Sequence, residues 1–172
     1  MRRIGWVTVA MGAVLSLPAL AHAQSGVVHD SRVGGRNDLD PVVLESQAQA
    51  FFGTPKRYGD AAKLYVRAAE IRVAGDPQRI MDLMMASRMS YYDGSTTRAW
   101  EIMERAAEEA LAAGDVVNAA HAFVDASFLA KEAGANTRVI ELARRAQLLT
   151  SSPLLETAQR EAILSRIGEP GA

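Results

Sequence analysis

Four methionines crowd one short stretch of this chain: Met81, Met84, Met85 and Met89. Spacings of three and four residues put Met81, Met85 and Met89 along one edge of a helix, with Met84 beside it. Thioethers are soft ligands for Cu(I), so copper binding is the sharpest chemistry this stretch suggests. No His or Cys stands near them, and Met also fills irregular cores and lines adaptable grooves. Core packing is the plainer reading, and neither a metal nor a cofactor is expected. His29 and His121 are far apart, and nothing in their spacing makes them converge on a ligand. The chain has no nucleophile elbow, paired-carboxylate motif, HExxH or phosphate loop, and Gly34-Gly35 is too isolated to cradle a phosphate. No catalytic residue is assigned, and a non-enzymatic role is expected. Tyr58, Tyr91, Tyr92 and Trp100 remain as aromatic candidates for contact with a partner.

The elements that carry these residues are marked out by the punctuation of the chain. Asp40-Pro41 and Asp76-Pro77 each read as an N-cap followed by Pro at the first helical position, where a missing N–H costs nothing. The first helix, from Pro41 to Gly53, places Leu44, Ala48 and Phe51 on one face. A second, from about Arg57 to Ala74, turns Ala61, Leu64, Tyr65, Ala68 and Ile71 inward. A third, from Pro77 to near Asp93, does so with Ile80, Leu83, Met84 and Ser87. Ser95 or Thr96 caps a fourth helix with the stripe Ala99, Ile102, Met103, Ala106, Ala110 and Leu111. Its other side (Arg98, Glu101, Glu104, Arg105, Glu108, Glu109) reads as solvated. Asp115 starts a fifth, with Ala120, Phe123, Val124, Ser127 and Ala130 inward, and Asn136 caps a sixth. Ser152-Pro153 opens a seventh ending at Gly168, with Leu155, Ala158, Ala162, Ile163 and Ile167 inward. No stretch alternates with period two, so the fold class is all-α.

Three of these helices resemble one another. Ala61-x-x-Leu64-Tyr65-x-Arg67-Ala68 recurs as Ala99-x-x-Ile102-Met103-x-Arg105-Ala106 and Val139-x-x-Leu142-Ala143-x-Arg145-Ala146, at offsets of 38 and 40 residues. A helical unit repeating at this period cannot bury its apolar face alone and must stack on neighbours. Taken in pairs, the helices resemble tetratricopeptide-type (TPR-like) hairpins. In that family the second helix carries two small residues seven apart around a bulkier one, because closely crossing helices leave no room for longer side chains. The matching pairs are Ala61 with Ala68, Ala99 with Ala106 and Val139 with Ala146. Ser87 and Ser127 stand where the first helix would place its own small residue. The resemblance covers residues 41–152 and is fullest in the third hairpin. The repeats exceed the family's 34 residues, and Gln49 takes a small-residue position in the first hairpin.

The resemblance implies a right-handed α-α superhelix of three hairpins plus a C-terminal capping helix, over residues 40–168. It also implies an adaptor or scaffold whose concave face, lined by first helices, binds another protein or a peptide. That face would present Arg79, Asp82, Met85, Arg88 and Tyr92 from the third helix and Asn118, His121 and Asp125 from the fifth. Trp100 would join Tyr91 and Tyr92 as an aromatic anchor at the mouth between hairpins, unless these rings serve packing between hairpins. The alternatives are an apolar small molecule held between hairpins by the Met cluster, and a structural array that associates with itself.

The ends and the composition bound the setting. Arg2 and Arg3 precede an apolar run from Ile4 to Leu20, and Ala21-His22-Ala23 supplies a small-x-small site. This predicts an export signal cleaved between Ala23 and Gln24, and hence a periplasmic or secreted product; an uncleaved membrane anchor is the rival. Residues 24–39 read as a flexible leader and 169–172 as a disordered tail. With 19 basic and 20 acidic side chains, the chain lacks the positive field that nucleic acid or anionic lipid requires. The expected partner is another envelope protein or peptide. There is no Cys, so stability must come from packing. Lys56, Lys63 and Lys131 are the only lysines, and the surplus of Arg reads as codon bias rather than phosphate recognition.

Overall fold

A computed structural model of the protein describes residues 40–168. The expected export signal, leader and tail lie outside the described residues. Those that are described form seven α-helices and no strand: α1 (Pro41–Gln49), α2 (Tyr58–Ile71), α3 (Pro77–Tyr92), α4 (Thr96–Ala112), α5 (Val116–Glu132), α6 (Asn136–Leu149) and α7 (Thr157–Gly168). A single 3-10 turn, Pro55–Arg57, leads into α2. Among the described residues no helix is long and apolar enough to cross a membrane.

The starts of α1, α3 and α5 follow from their aspartates. Asp40 accepts from the Val42 amide at 2.9 Å, Asp76 from Gln78 at 2.8 Å and Asp115 from Asn118 at 3.1 Å, each satisfying an amide that has no partner within its helix. At the far end of α4, Gly114 adopts φ +80° and lets the Asp115 amide reach back to the Ala110 carbonyl at 2.9 Å. A side chain would strain that left-handed turn. The same closure ends α3 and α5. The start of α2 is capped from another helix: the Gly59 amide donates to Asp93, at the end of α3, at 3.1 Å. A Cβ on Gly59 would stand 2.7 Å from that carboxylate.

Several boundaries differ from expectation. α1 ends at Gln49 rather than Gly53, and Phe51 lies in the following turn with the Arg57 guanidinium 4.0 Å above its ring. α2 stops at Ile71 because Arg72 takes an extended conformation. Asn136 does not cap α6; Ala135 holds the cap position without a side-chain bond, since Gly134 and Ala135 are used in closing α5. The seventh helix opens at Thr157, not at Pro153. Ser152 instead makes a turn by accepting from the Leu154 amide at 3.2 Å, and Gln159 reaches back to the Glu156 amide at 2.9 Å. Leu155 is buried from within that turn, whereas Ala158 and Ala162, expected inward, are exposed, as is Leu111 on α4.

Extensive packing joins helices that follow one another along the chain: α1 on α2, α2 on α3, and so on to α5 on α6, with α7 resting on both α5 and α6. The small residues lie at these contacts. Ala61, Ala68, Ala99, Ala106 and Ala146 are fully buried, and Val139 is half-buried. Ser87 is also fully buried and donates its hydroxyl to the Ala99 carbonyl at 2.7 Å, tying α3 to α4 where they cross. Ser127 turns instead to its own helix, donating to the Val124 carbonyl. α5 is buried on most sides, through Ala119, Ala120, Ala122, Phe123, Val124, Ala126 and Ala130, as befits a helix enclosed by α4, α6 and α7.

Candidate functional site

The residues expected to form a binding face divide between those engaged in the fold and those left outside it. On α3, Arg79 is engaged. Its guanidinium donates to the Ala69 and Arg72 carbonyls at 3.1 and 2.9 Å, closing the end of α2, and pairs through two nitrogens with Glu109 of α4. That pairing holds the Glu109 carboxyl below its usual pKa. Asp82 is only 1% exposed and accepts from Arg72 at 3.0 Å, while its other oxygen has no hydrogen-bond partner among the described residues. Burial, and then the neighbouring charge of Glu45, push its pKa up to about 6.

The methionine row splits by position on the helix. Met89 is buried, and Met84 is half-buried where three apolar clusters meet. Met85 is half-buried against the cluster formed by α1, α2 and its own helix. Met81 is 45% exposed. Its spacing of four from Met85 puts Met81 on the same edge of the helix. Arg88 is exposed beside the Met85 sulfur, and Tyr92 is 56% exposed. The Tyr92 ring lies 5.7 Å from Tyr58 and 6.0 Å from Tyr91.

On α5, Asn118 is exposed, with its side-chain amide donating to Asp115 at 2.6 Å. His121 is half-buried; burial, then the positive charge of Arg166, lower its pKa. Asp125 pairs with Arg166 of α7, whose guanidinium lies 5.7 Å from the Phe128 ring centroid. Trp100 does not join the tyrosines. It packs against the largest apolar cluster under the Arg138 guanidinium, 5.5 Å from its ring, while Tyr92 turns to Tyr58 of α2. The expected aromatic anchor therefore separates into a tyrosine group near the start of α2 and a tryptophan between α4 and α6.

The arginine surplus has a structural use that composition did not disclose. Arg72 joins Glu45 of α1 to Asp82 of α3. Arg138 and Arg145 of α6 share Glu104 of α4, and Arg145 lies 4.1 Å from the Phe123 ring. Arg79 and Arg166 make the further links already described. Codon bias is thus not a sufficient account, because a planar guanidinium pairs with two acceptors and stacks on rings where an ammonium cannot. For the same reason Glu104 and Glu109, expected on a solvated side of the fourth helix, are part of the helix contacts.

No family model matches the chain, and no curated protein or solved structure is significantly similar to it. Among the described residues no group of three or more His, Asp or Glu is placed to hold a metal ion. The candidate residues left exposed are Met81, Arg88 and Tyr92 on α3 and Asn118 on α5, with Met85 and His121 half-buried. This set combines thioether, aromatic, guanidinium, amide and imidazole groups.

Proposed function

We propose that the protein is a non-enzymatic, TPR-like helical array that binds another protein or a peptide along the exposed side of α3 and α5. The observation carrying this reading is the succession of contacts: from α1 to α6 each helix packs chiefly on its chain neighbours, and fully buried alanines sit at the crossings. Such packing favours stacked hairpins over a bundle closed around one axis, and α7 alone rests as much on a helix two places back, α5, as on its neighbour α6. Stacked hairpins rotate slightly from one to the next, so their first helices line a concave side. In the proposed right-handed superhelix α1, α3, α5 and α7 would line that side, exposing Met81, Arg88, Tyr92 and Asn118. With the proposed export signal, the partner would be a protein or peptide of the cell envelope or exterior.

The test compares the chain from Gln24 onward with a variant carrying Met81→Ser, Tyr92→Ser and Asn118→Ala. All three residues are exposed, so the melting curve is expected to change little. Envelope proteins of the source cells retained by the unaltered chain and lost by the variant support the reading. Equal retention by both, or none by either, rejects it.

A further inference from the structure

We propose that the Glu45–Arg72–Asp82 cluster is a proton-uptake site that tightens the hold of α1 on the rest of the array as the surroundings acidify. Two carboxylates from different helices converge on one guanidinium. Arg72 donates to Glu45 of α1 and to Asp82 of α3, and Asp76 lies 3.5 Å from it as well, so carboxylates outnumber the one guanidinium. Asp82 is the member enclosed from water, and its second oxygen is without a hydrogen-bond donor among the described residues. A carboxylate so placed is costly to keep ionised.

Adding a proton to Asp82 lowers the excess negative charge and ends its competition with Glu45 for Arg72, while Asp76 stays 3.5 Å from the same guanidinium. The pairing of Arg72 with Glu45 matters to α1 because it is the one ion pair between α1 and other elements among the described residues. Otherwise this short helix buries only Leu44 and Ala48.

The surroundings agree. From α2, Tyr65 is raised in pKa by burial and by the charges of Asp82 and Glu45. Before α3, Asp76 touches Arg72 at 3.5 Å and adds negative charge. Arg72 and, after it, Gln78 on α3 favour the ionised form of Asp82 but do not outweigh burial and the charge of Glu45. On α4, Glu109 is matched by Arg79. Because the folded-state pKa of about 6 lies above the ordinary 3.8, the folded state binds the extra proton. The stabilisation is complete below the ordinary value and is lost as pH rises through about 6. His121 works the other way: its lowered pKa gives stability above the usual imidazole range that fades on acidification. A global melt would mix the two, so the readout must be local to α1.

The experiment uses the full chain. Carbon NMR of the Asp82 carboxyl is expected to titrate near pH 6; a midpoint at or below about 4 overturns the proposal. Hydrogen exchange of the α1 amides, corrected for intrinsic rates, is expected to slow by about threefold or more from pH 7.5 to pH 5. Unchanged or reduced α1 protection overturns it. Asp82→Asn is expected to abolish this pH dependence, and its persistence in that variant counts against the proposal. Should the variant fail to fold, the two measurements on the unaltered chain decide.

Discussion

Arg79 shows how a single side chain can be misread from the chemistry of its type. Arg79 reads in the sequence as part of a face for a protein or peptide, yet here it closes the end of α2 and holds α4 through Glu109. Replacing it with Met keeps the stem but leaves two carbonyls without that donor and the half-buried Glu109 carboxylate with Arg105 alone. The expected loss is about 2–4 kcal/mol in urea unfolding. Arg79→Lys is expected to recover only part of it, because one ammonium cannot serve both Glu109 oxygens and two carbonyls together. If Arg79→Met melted like the unaltered chain, the residue would be free for ligand contact after all.

At the scale of the helix, the fully buried alanines govern how closely neighbours approach. Ala106 lies at the junction with Leu83 and Ala69, so it meets α3 and α2 at once. Ala106→Leu is expected to destabilise by about 1–3 kcal/mol through overpacking. Ala158→Leu on the exposed side of α7 is expected to stay within about 0.5 kcal/mol. Parallel thermal melts check both, and equal effects at the two sites would mean that Ala106 is not a close contact. The pattern of alanines seven apart was legible in the sequence because steric exclusion acts on residue type. The arginine links were not, since Arg72 to Glu45 and Arg145 to Glu104 join residues far apart in the chain, with no local periodicity to reveal them.

For the molecule as a whole, serial packing means that stability is transmitted from neighbour to neighbour. Ending the chain after Thr150 removes α7, which rests on α5 and α6. Amide exchange is expected to quicken in α5 and α6 while α2–α4 keep their protection, as nearest-neighbour coupling requires. A uniform collapse of protection would fit a single closed bundle instead. Met81, Arg88 and Tyr92 on α3 and Asn118 on α5 stay exposed, and the proposed binding role rests on them.

Helix number, most helix starts and the small-residue stripes were determined by the sequence alone, because caps, glycine closures and steric limits act within a few residues of one another. The seventh helix was misplaced because a Ser-Pro pair serves equally well to start a helix or to make a turn, and only the Gln159 contact with the Glu156 amide separates the two. Which polar residues remain free was decided by the tertiary structure. Arg79, Asp82, Asp125 and Trp100 all looked available in the sequence, and each is engaged by a group that only folding brings near. Charge pairing and burial depend on distance in space, which a linear pattern does not encode.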